Sequence, residues 1–362
     1  MEAQVLAYNN SKVAASEAVE LLKELISTPS FSKEEDKTAQ IIFHYLDQKG
    51  VNPKRHLHNI WAINKHFDAS KPTLLLNSHH DTVKPNKGYS LDPFTPIAKD
   101  EKLFGLGSND AGGCLVSLLA VFLHYYEKTN LRYNIIFAAS AEEEISGTNG
   151  IEALLPLLGK IDFGIVGEPT QMQMAIAEKG LLVLDCISNG KAGHAARNEG
   201  DNALYHAIKD IEWFKNYTFE KNSEVLGPVK LTVTTIETEN KAHNVVPATC
   251  KFTVDIRVNE HYGFEEIINI IQSNVTCEIK PRSLRMKSSS IALDHPLVKS
   301  GLALGRSYYG SPTSSDKALM SFPTLKMGPG DSARSHTADE FIFFKEIDEG
   351  IELYIKLLDK IL

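Results

Sequence analysis

Residues 73–83 read Thr-Leu-Leu-Leu-Asn-Ser-His-His-Asp-Thr-Val. The apolar run 73–76 predicts a strand, and that strand delivers His79 and Asp81 to its C-terminal end. On extended backbone, residues i and i+2 point the same way. An imidazole and a carboxylate therefore share one spot, while His80 between them points to the other face. Two readings of the pair stand open. They are polar residues bonded inside a core, or a metal ligand with a carboxylate that sets its tautomer and basicity.

Working outward, the pattern around this strand is α/β. Apolar positions at helical spacing mark helices at 15–27 and 33–49, stopped by Pro29 and Gly50. Strand-like stretches follow at 59–65 and 73–77. Residues 112–127 form an apolar helix, and short apolar runs at 133–139 and 161–166 read as strands buried on both faces. Strands alternating with apolar helices predict a doubly wound mixed sheet with helices on both sides.

Near residue 180 the character changes. A strand at 181–188, a helix at 201–217, strands at 229–238 and 249–258, a helix at 263–273 and a strand at 275–280 follow in that order. This β-α-β-β-α-β order predicts a ferredoxin-like module. After it come helices at 295–309 and 344–361. The expected domains are thus 1–178, an inserted module at 179–287, and 288–362, which completes the first domain.

With 362 residues, 43% hydrophobic and 23% charged, the chain can bury its cores without staples. Its formal net charge is −8 and its cations are scattered, which argues against nucleic acid or a membrane surface as the main partner. The four cysteines (Cys114, Cys186, Cys250, Cys277) are far apart, which excludes a thiolate zinc site by spacing. No basic stretch followed by an apolar one opens the chain. The expectation is a cytoplasmic protein.

Open α/β sheets bind ligands at the carboxyl ends of their strands, so the residues after each predicted strand matter most. His79 and Asp81 follow 73–77. Asp110, among Gly105, Gly107, Gly112 and Gly113, follows a segment near 103–107. Glu142, Glu143 and Glu144 follow 133–139, and Glu168 follows 161–166. His336 and Glu340 come after a strand-like 324–327. Singly, each has an ordinary reading as a turn or a solvated helix face. Their recurrence at strand ends points to one site. Two histidines and several carboxylates suit zinc and are numerous enough for two ions bridged by a carboxylate, an arrangement that serves hydrolysis. A glutamate that binds no metal can then move the water proton.

The order and local sequences of these motifs resemble the acetylornithine deacetylase, succinyl-diaminopimelate desuccinylase, aminoacylase-1 and glutamate carboxypeptidase family of dinuclear zinc amidohydrolases. The resemblance runs from about Ile26 to the C-terminal helix and implies a zinc-exopeptidase-like catalytic domain with an inserted lid or dimerisation domain. It implies two Zn2+ per subunit, with Co2+ able to substitute. His79 and Glu168 would bind one ion, Glu144 and His336 the other, and Asp110 would bridge them. Asp81 would orient His79, Glu143 would be the general base, and the Asp110–Ala111 peptide would be cis. In the inserted module, Gly190-Lys-Ala-Gly-His194 resembles an element whose histidine helps hold the oxyanion, often from the partner of a dimer. Asn244-Val-Val-Pro247 resembles a substrate-contacting turn. Arg257 resembles an arginine that grips a substrate carboxylate, or else pairs at the surface with Asp255 or Glu260. Ser314-Ser315-Asp316 resembles the family's small-residue substrate loop, in which Ser315 would contact substrate.

The chain departs from the family around the bridge. Gly105-Leu106-Gly107-Ser-Asn-Asp110-Ala-Gly112-Gly113 lacks the usual arginine and lysine and is one residue shorter. The ligands remain, so the departure bears on substrate detail. Within the family the chain looks most like deacylases of N-acetyl- or N-succinyl-ornithine in arginine biosynthesis, acting as a homodimer. Desuccinylation of N-succinyl-diaminopimelate and a dipeptidase or carboxypeptidase activity are the alternatives.

Overall fold

The computed structural model describes residues 2–197 and 199–362, with side chains from Val13 onward. The chain divides into two compact units. One comprises the chain up to Ile176 with Ser290–Tyr309 and Ser315–Leu362. The other comprises Ala177–Ser289 and Gly310–Ser314.

The first unit is built on a mixed sheet whose strands lie in the order Lys54–His56, Asn59–Ile63, Asn134–Ser140, Thr73–His79, Phe163–Val166, Thr324–Lys326 and Met174–Glu178. Thr73–His79 pairs in parallel with both neighbours, and Thr324–Lys326 runs parallel to Phe163–Val166. The outer pairings are antiparallel. Every residue of Thr73–His79 and Asn134–Ser140 is buried. Alternate side chains feed opposite helical layers. Ile136 and Ala138 pack with Leu154 and Leu158 of the helix Ile151–Leu158. Phe137 points the other way, its ring 5.9 Å from Phe122 of the helix Gly113–Tyr126. With helices on both faces, the parallel strands end together, and their ends form the site.

The second unit is an antiparallel sheet in the order Lys230–Thr238, Thr249–Val258, Gly180–Asn189, Glu278–Pro281. Its first strand lies beside its third, the split βαβ arrangement. Leu182, Leu184 and Cys186 alternate into a core that Phe214 and Ile267, from the helices Ala203–Asn216 and Phe264–Gln272, complete.

Three expectations need correction. The helix expected at 295–309 is Pro296–Ala303, because Gly305 turns at φ +74° and ends the pattern. The first helix runs Glu2–Ile26 instead of starting near residue 15. The strand before Asp110 is only Lys102–Phe104, in a separate sheet with Ile97–Lys99 and Phe341–Phe343, so Asp110 does not follow a strand of the main sheet. All four cysteines are free thiols. Among the described residues no helix is long and apolar enough to cross a membrane.

Leu76 has no exposed surface. Leu76→Ala is expected to cost about 2–5 kcal/mol, measured as a lowered denaturant midpoint.

Candidate metal centre

His79 is 1% exposed, and its two ring nitrogens face different groups. Nδ1 lies 3.0 Å from the backbone oxygen of Asp81 and 3.4 Å from that residue's Oδ1. A proton held on Nδ1 leaves the Nε2 lone pair free for a cation. Nε2 lies 3.3 Å from Asp110 Oδ1, 3.8 Å from Glu168 Oε1 and 4.0 Å from Glu143 Oε2. Across the site, His336 Nε2 is 2.9 Å from Glu144 Oε2 and 3.7 Å from Asp110 Oδ2. Asp110 thus turns one oxygen toward each imidazole.

Local backbone geometry makes this convergence possible. Glu143 and Glu144 open a single turn, Glu143–Ile145, flanked by Glu142 at φ 55° and Ser146 at φ 49°. Asp110 sits in a π-type turn, Ser108–Gly112, that leads into the helix Gly113–Tyr126, and its peptide bond to Ala111 is cis. The neighbouring glycines are needed there. Gly107 adopts φ +76°, and a Cβ on Gly112 would lie 2.4 Å from Gly107 O.

The Asp81 carboxylate has partners besides His79, whose Nδ1 lies closer to the Asp81 backbone than to that carboxylate. The Asp81 carboxylate accepts the backbone N–H of Glu143 at 3.0 Å and of Glu144 at 3.2 Å, and the Ser32 hydroxyl at 2.7 Å. The N–H of Glu142 goes to Oε1 of buried Glu35 at 3.1 Å. Two buried carboxylates therefore hold three successive amides of the glutamate turn. Neither Ser32 nor Glu35 was singled out by the sequence, because their partners Asp81 and Glu142 lie 49 and 107 residues away in the chain. Asp316 is buried and accepts Asn77 Nδ2 at 2.9 Å and Ser140 Oγ at 2.6 Å, from side chains 239 and 176 residues away in the chain. His80 turns away as expected, to Thr38 Oγ1 at 2.9 Å and the backbone oxygen of His58 at 3.0 Å.

Burial works against the charge of His79, yet Asp110 and Asp81 outweigh it and hold its pKa well above the usual imidazole range. Burial likewise opposes ionisation of Asp110, and His79 beside it holds its carboxyl below the usual range. Glu143 is pushed well up by burial, with His79 opposing and Glu168, Asp316 and Glu144 reinforcing. Hydrogen bonding to Glu144 raises His336 to about 9, and burial raises Asp316 to about 6. Buried like charges are costly unless compensated, so the cluster calls for positive charge. The donors fit that demand. Ligand atoms of His79, Asp110 and Glu144, and of His79, Glu143 and Glu168, each lie within 4.8 Å of one another. Imidazole nitrogen and carboxylate oxygen suit zinc and its divalent neighbours.

The remaining predicted residues are placed differently. His194 and Asn244 are exposed on the second unit. His194 pairs with Val245 in a short ladder, and the backbone oxygen of Asn244 accepts the Ala195 N–H at 2.9 Å. Arg257 reaches Asp255 with Nε at 2.8 Å and Nη2 at 3.0 Å, one of the two surface pairings open to it. Ser315 is buried and its Oγ accepts the Lys317 N–H at 3.4 Å, which caps the turn Asp316–Leu319.

The profile of peptidase family M20/M25/M40 matches residues 75–360, which contain every residue of this cluster. The chain belongs to that family. It is therefore a hydrolase of the metallopeptidase and amidohydrolase kind. Succinyl-diaminopimelate desuccinylase of Wolbachia pipientis subsp. Culex pipiens (strain wPip) is 30% identical over 292 residues, covering 75% of this chain and 72% of its own. Succinyl-diaminopimelate desuccinylase 2 of Ruegeria sp. (strain TM1040) is 27% identical over 274 residues, 70% of this chain and 68% of its own. The fold is similar to that of a dinuclear metal binding peptidase of the M20 family from Bacillus subtilis. The TM-score is 0.72 at 14% identity, covering 96% of this chain and 97% of that one. Neither named relative is an ornithine deacylase, so the arginine-biosynthesis reading finds no support in them.

Asp81→Ala strips the acceptor from the Glu143 and Glu144 amides. The expected cost is about 1–3 kcal/mol per orphaned donor, read by thermal melting, and Ser32→Ala should cost less because it orphans no backbone amide.

Proposed function

We propose that this enzyme hydrolyses the amide bond of a small N-acylated amino acid, with N-succinyl-diaminopimelate favoured over N-acyl-ornithine as substrate. The observation that carries the hydrolytic reading is the Asp110 carboxylate, set between His79 and His336 with one oxygen toward each. The desuccinylase names of the relatives support the choice of acyl group.

In this reading His79 and Glu168 would hold one divalent ion, His336 and Glu144 would hold another, and Asp110 would serve both. Zinc is the proposed metal, with cobalt able to replace it. When bound, such ions supply Lewis acidity toward a carbonyl and toward water. The chain supplies the proton path. Glu143 is the general base, placed 4.0 Å from His79 Nε2 and outside both proposed ligand pairs. It takes one proton from the attacking water and delivers it to the amide nitrogen as the C–N bond breaks. The second water proton, left on the new carboxyl group, passes to the amine, so the products are a carboxylate and an ammonium group. A burial-raised pKa suits a residue that must accept and then release a proton.

We also propose that His194, Asn244 and Arg257 act on substrate and that the enzyme is a homodimer. Arg257 would have to leave Asp255 to do so. For the dimer, the strand Lys230–Thr238 lies at an edge of its sheet, and Tyr205 and Ile208 stand 70% and 49% exposed on the helix Ala203–Asn216. Open edges and exposed apolar side chains suit a second copy.

Turnover of N-succinyl-diaminopimelate, N-succinyl- and N-acetyl-ornithine and simple dipeptides, with zinc or cobalt present, tests the substrate. The succinylated diamino acid should be cleaved fastest, and cleavage of dipeptides alone would sink the deacylase reading. Glu143→Ala is expected to lower kcat by about 10²–10⁴-fold while elemental analysis finds metal content unchanged. His79→Ala should lose bound metal, whereas His80→Gln should retain it.

A further inference from the structure

Glu340 has no part in the chemistry above, yet it is 2% exposed and lies four residues beyond His336. Its carboxylate accepts three backbone N–H groups, all from the loop that ends in Asp110. Oε2 takes Gly107 at 3.1 Å, and Oε1 takes Asn109 at 2.8 Å and Asp110 at 2.9 Å. The Glu340 backbone oxygen in turn accepts the Gly105 N–H at 3.0 Å. Asn109 closes the other side of the same seam. Its Nδ2 donates to Asp331 O at 3.1 Å, and its Oδ1 accepts the Asp331 N–H at 2.9 Å.

These bonds tie the Asp110 loop to the segment that carries His336. Each Glu340 side-chain bond anchors a loop amide to one buried carboxyl group on the other segment. The two shared by Oε1 fall on Asp110 and on the residue before it, and so fix where the Asp110 side chain leaves the backbone. That carboxylate must hold one oxygen 3.3 Å from His79 and the other 3.7 Å from His336. A small rotation of the loop would bring one oxygen closer and take the other away. A second tie holds the His336 side of the seam. Arg334, two residues before His336, donates to Phe341 O at 3.1 Å and pairs with Glu346 at 2.5 Å.

We infer that Glu340 is a positioning residue that sets the Asp110 carboxylate between His79 and His336 by clamping three amides of its loop. Its effect on metal rests on the reading of the centre given above, whereas its hold on the loop does not. The experiment compares wild type, E340A and E340Q in two measurements. One is Co2+ titration of metal-depleted protein followed by visible absorption. The other is amide hydrogen exchange of the metal-free chain. For E340A, Co2+ affinity should fall about 10–100-fold. Exchange should accelerate at residues 107–112 while the helix Phe344–Leu358 keeps its protection. E340Q should lose less on both counts, because its amide oxygen can still accept the Asn109 and Asp110 amides. If E340A does not fold, E340Q alone decides. Wild-type affinity with unchanged exchange at 107–112 in the folded variants would overturn the inference. So would faster exchange throughout the chain with wild-type Co2+ affinity, the mark of a merely structural residue. A wild-type chain that bound no Co2+ would instead overturn the metal reading, and local exchange would still decide whether Glu340 clamps the loop.

Discussion

Carboxylates from Asp110, Glu143 and Glu168 all lie within 4.0 Å of one imidazole nitrogen. Burial removes the water that would screen them from one another. Left to themselves these groups would move apart or take up protons. The rest of the first unit can be understood as the means of keeping them together. Parallel strands buried on both faces end at one place, and each acidic loop begins where a strand or helix is already pinned by core contacts. The side chains that hold the loops are themselves acidic. Asp81 and Glu35 grip the amides of residues 142–144, and Glu340 grips those of the Asp110 loop. Backbone N–H groups are the natural partners here, because they add positive partial charge without adding a competing cation.

That arrangement separates two kinds of carboxylate with the same chemistry and different duties. Glu143, Glu144, Glu168 and Asp110 turn their oxygens to the imidazoles. Asp81, Glu35 and Glu340 spend theirs on backbone. Asp316 belongs to neither kind: it accepts the side chains of Asn77 and Ser140, and it lies close enough to raise Glu143. Glu35 also reaches His58 Nδ1 at 2.7 Å, so its network extends to a half-exposed imidazole at the rim of the unit.

Much of this was legible in the chain itself. The period of two along residues 73–83 separated His79 from His80, and the two rings do bond in opposite directions. The order of apolar segments after residue 180 pointed to the ferredoxin-like β-α-β-β-α-β pattern, and the four strands do form one antiparallel sheet, because alternation along each strand marks the face that meets the helices. Errors arose where a local signal had to be weighed against a long-range one. The helix expected at 295–309 overran a glycine in the left-handed region. The apolar segment before Asp110 reads as a main-sheet strand, whereas it forms a three-residue strand that pairs with residues 341–343 from the far end of the chain.

By itself, then, the sequence determined which elements form, which faces of them are buried, and which residue types gather at the strand ends, since periodicity and turn chemistry act over a few neighbours. Only the tertiary structure decided what each carboxylate does. Glu340 and Asp110 are 230 residues apart, and Asp81 and Glu143 are 62 apart. The bonds between them end on backbone amides, which every residue but proline carries, so no pattern of side chains could announce them.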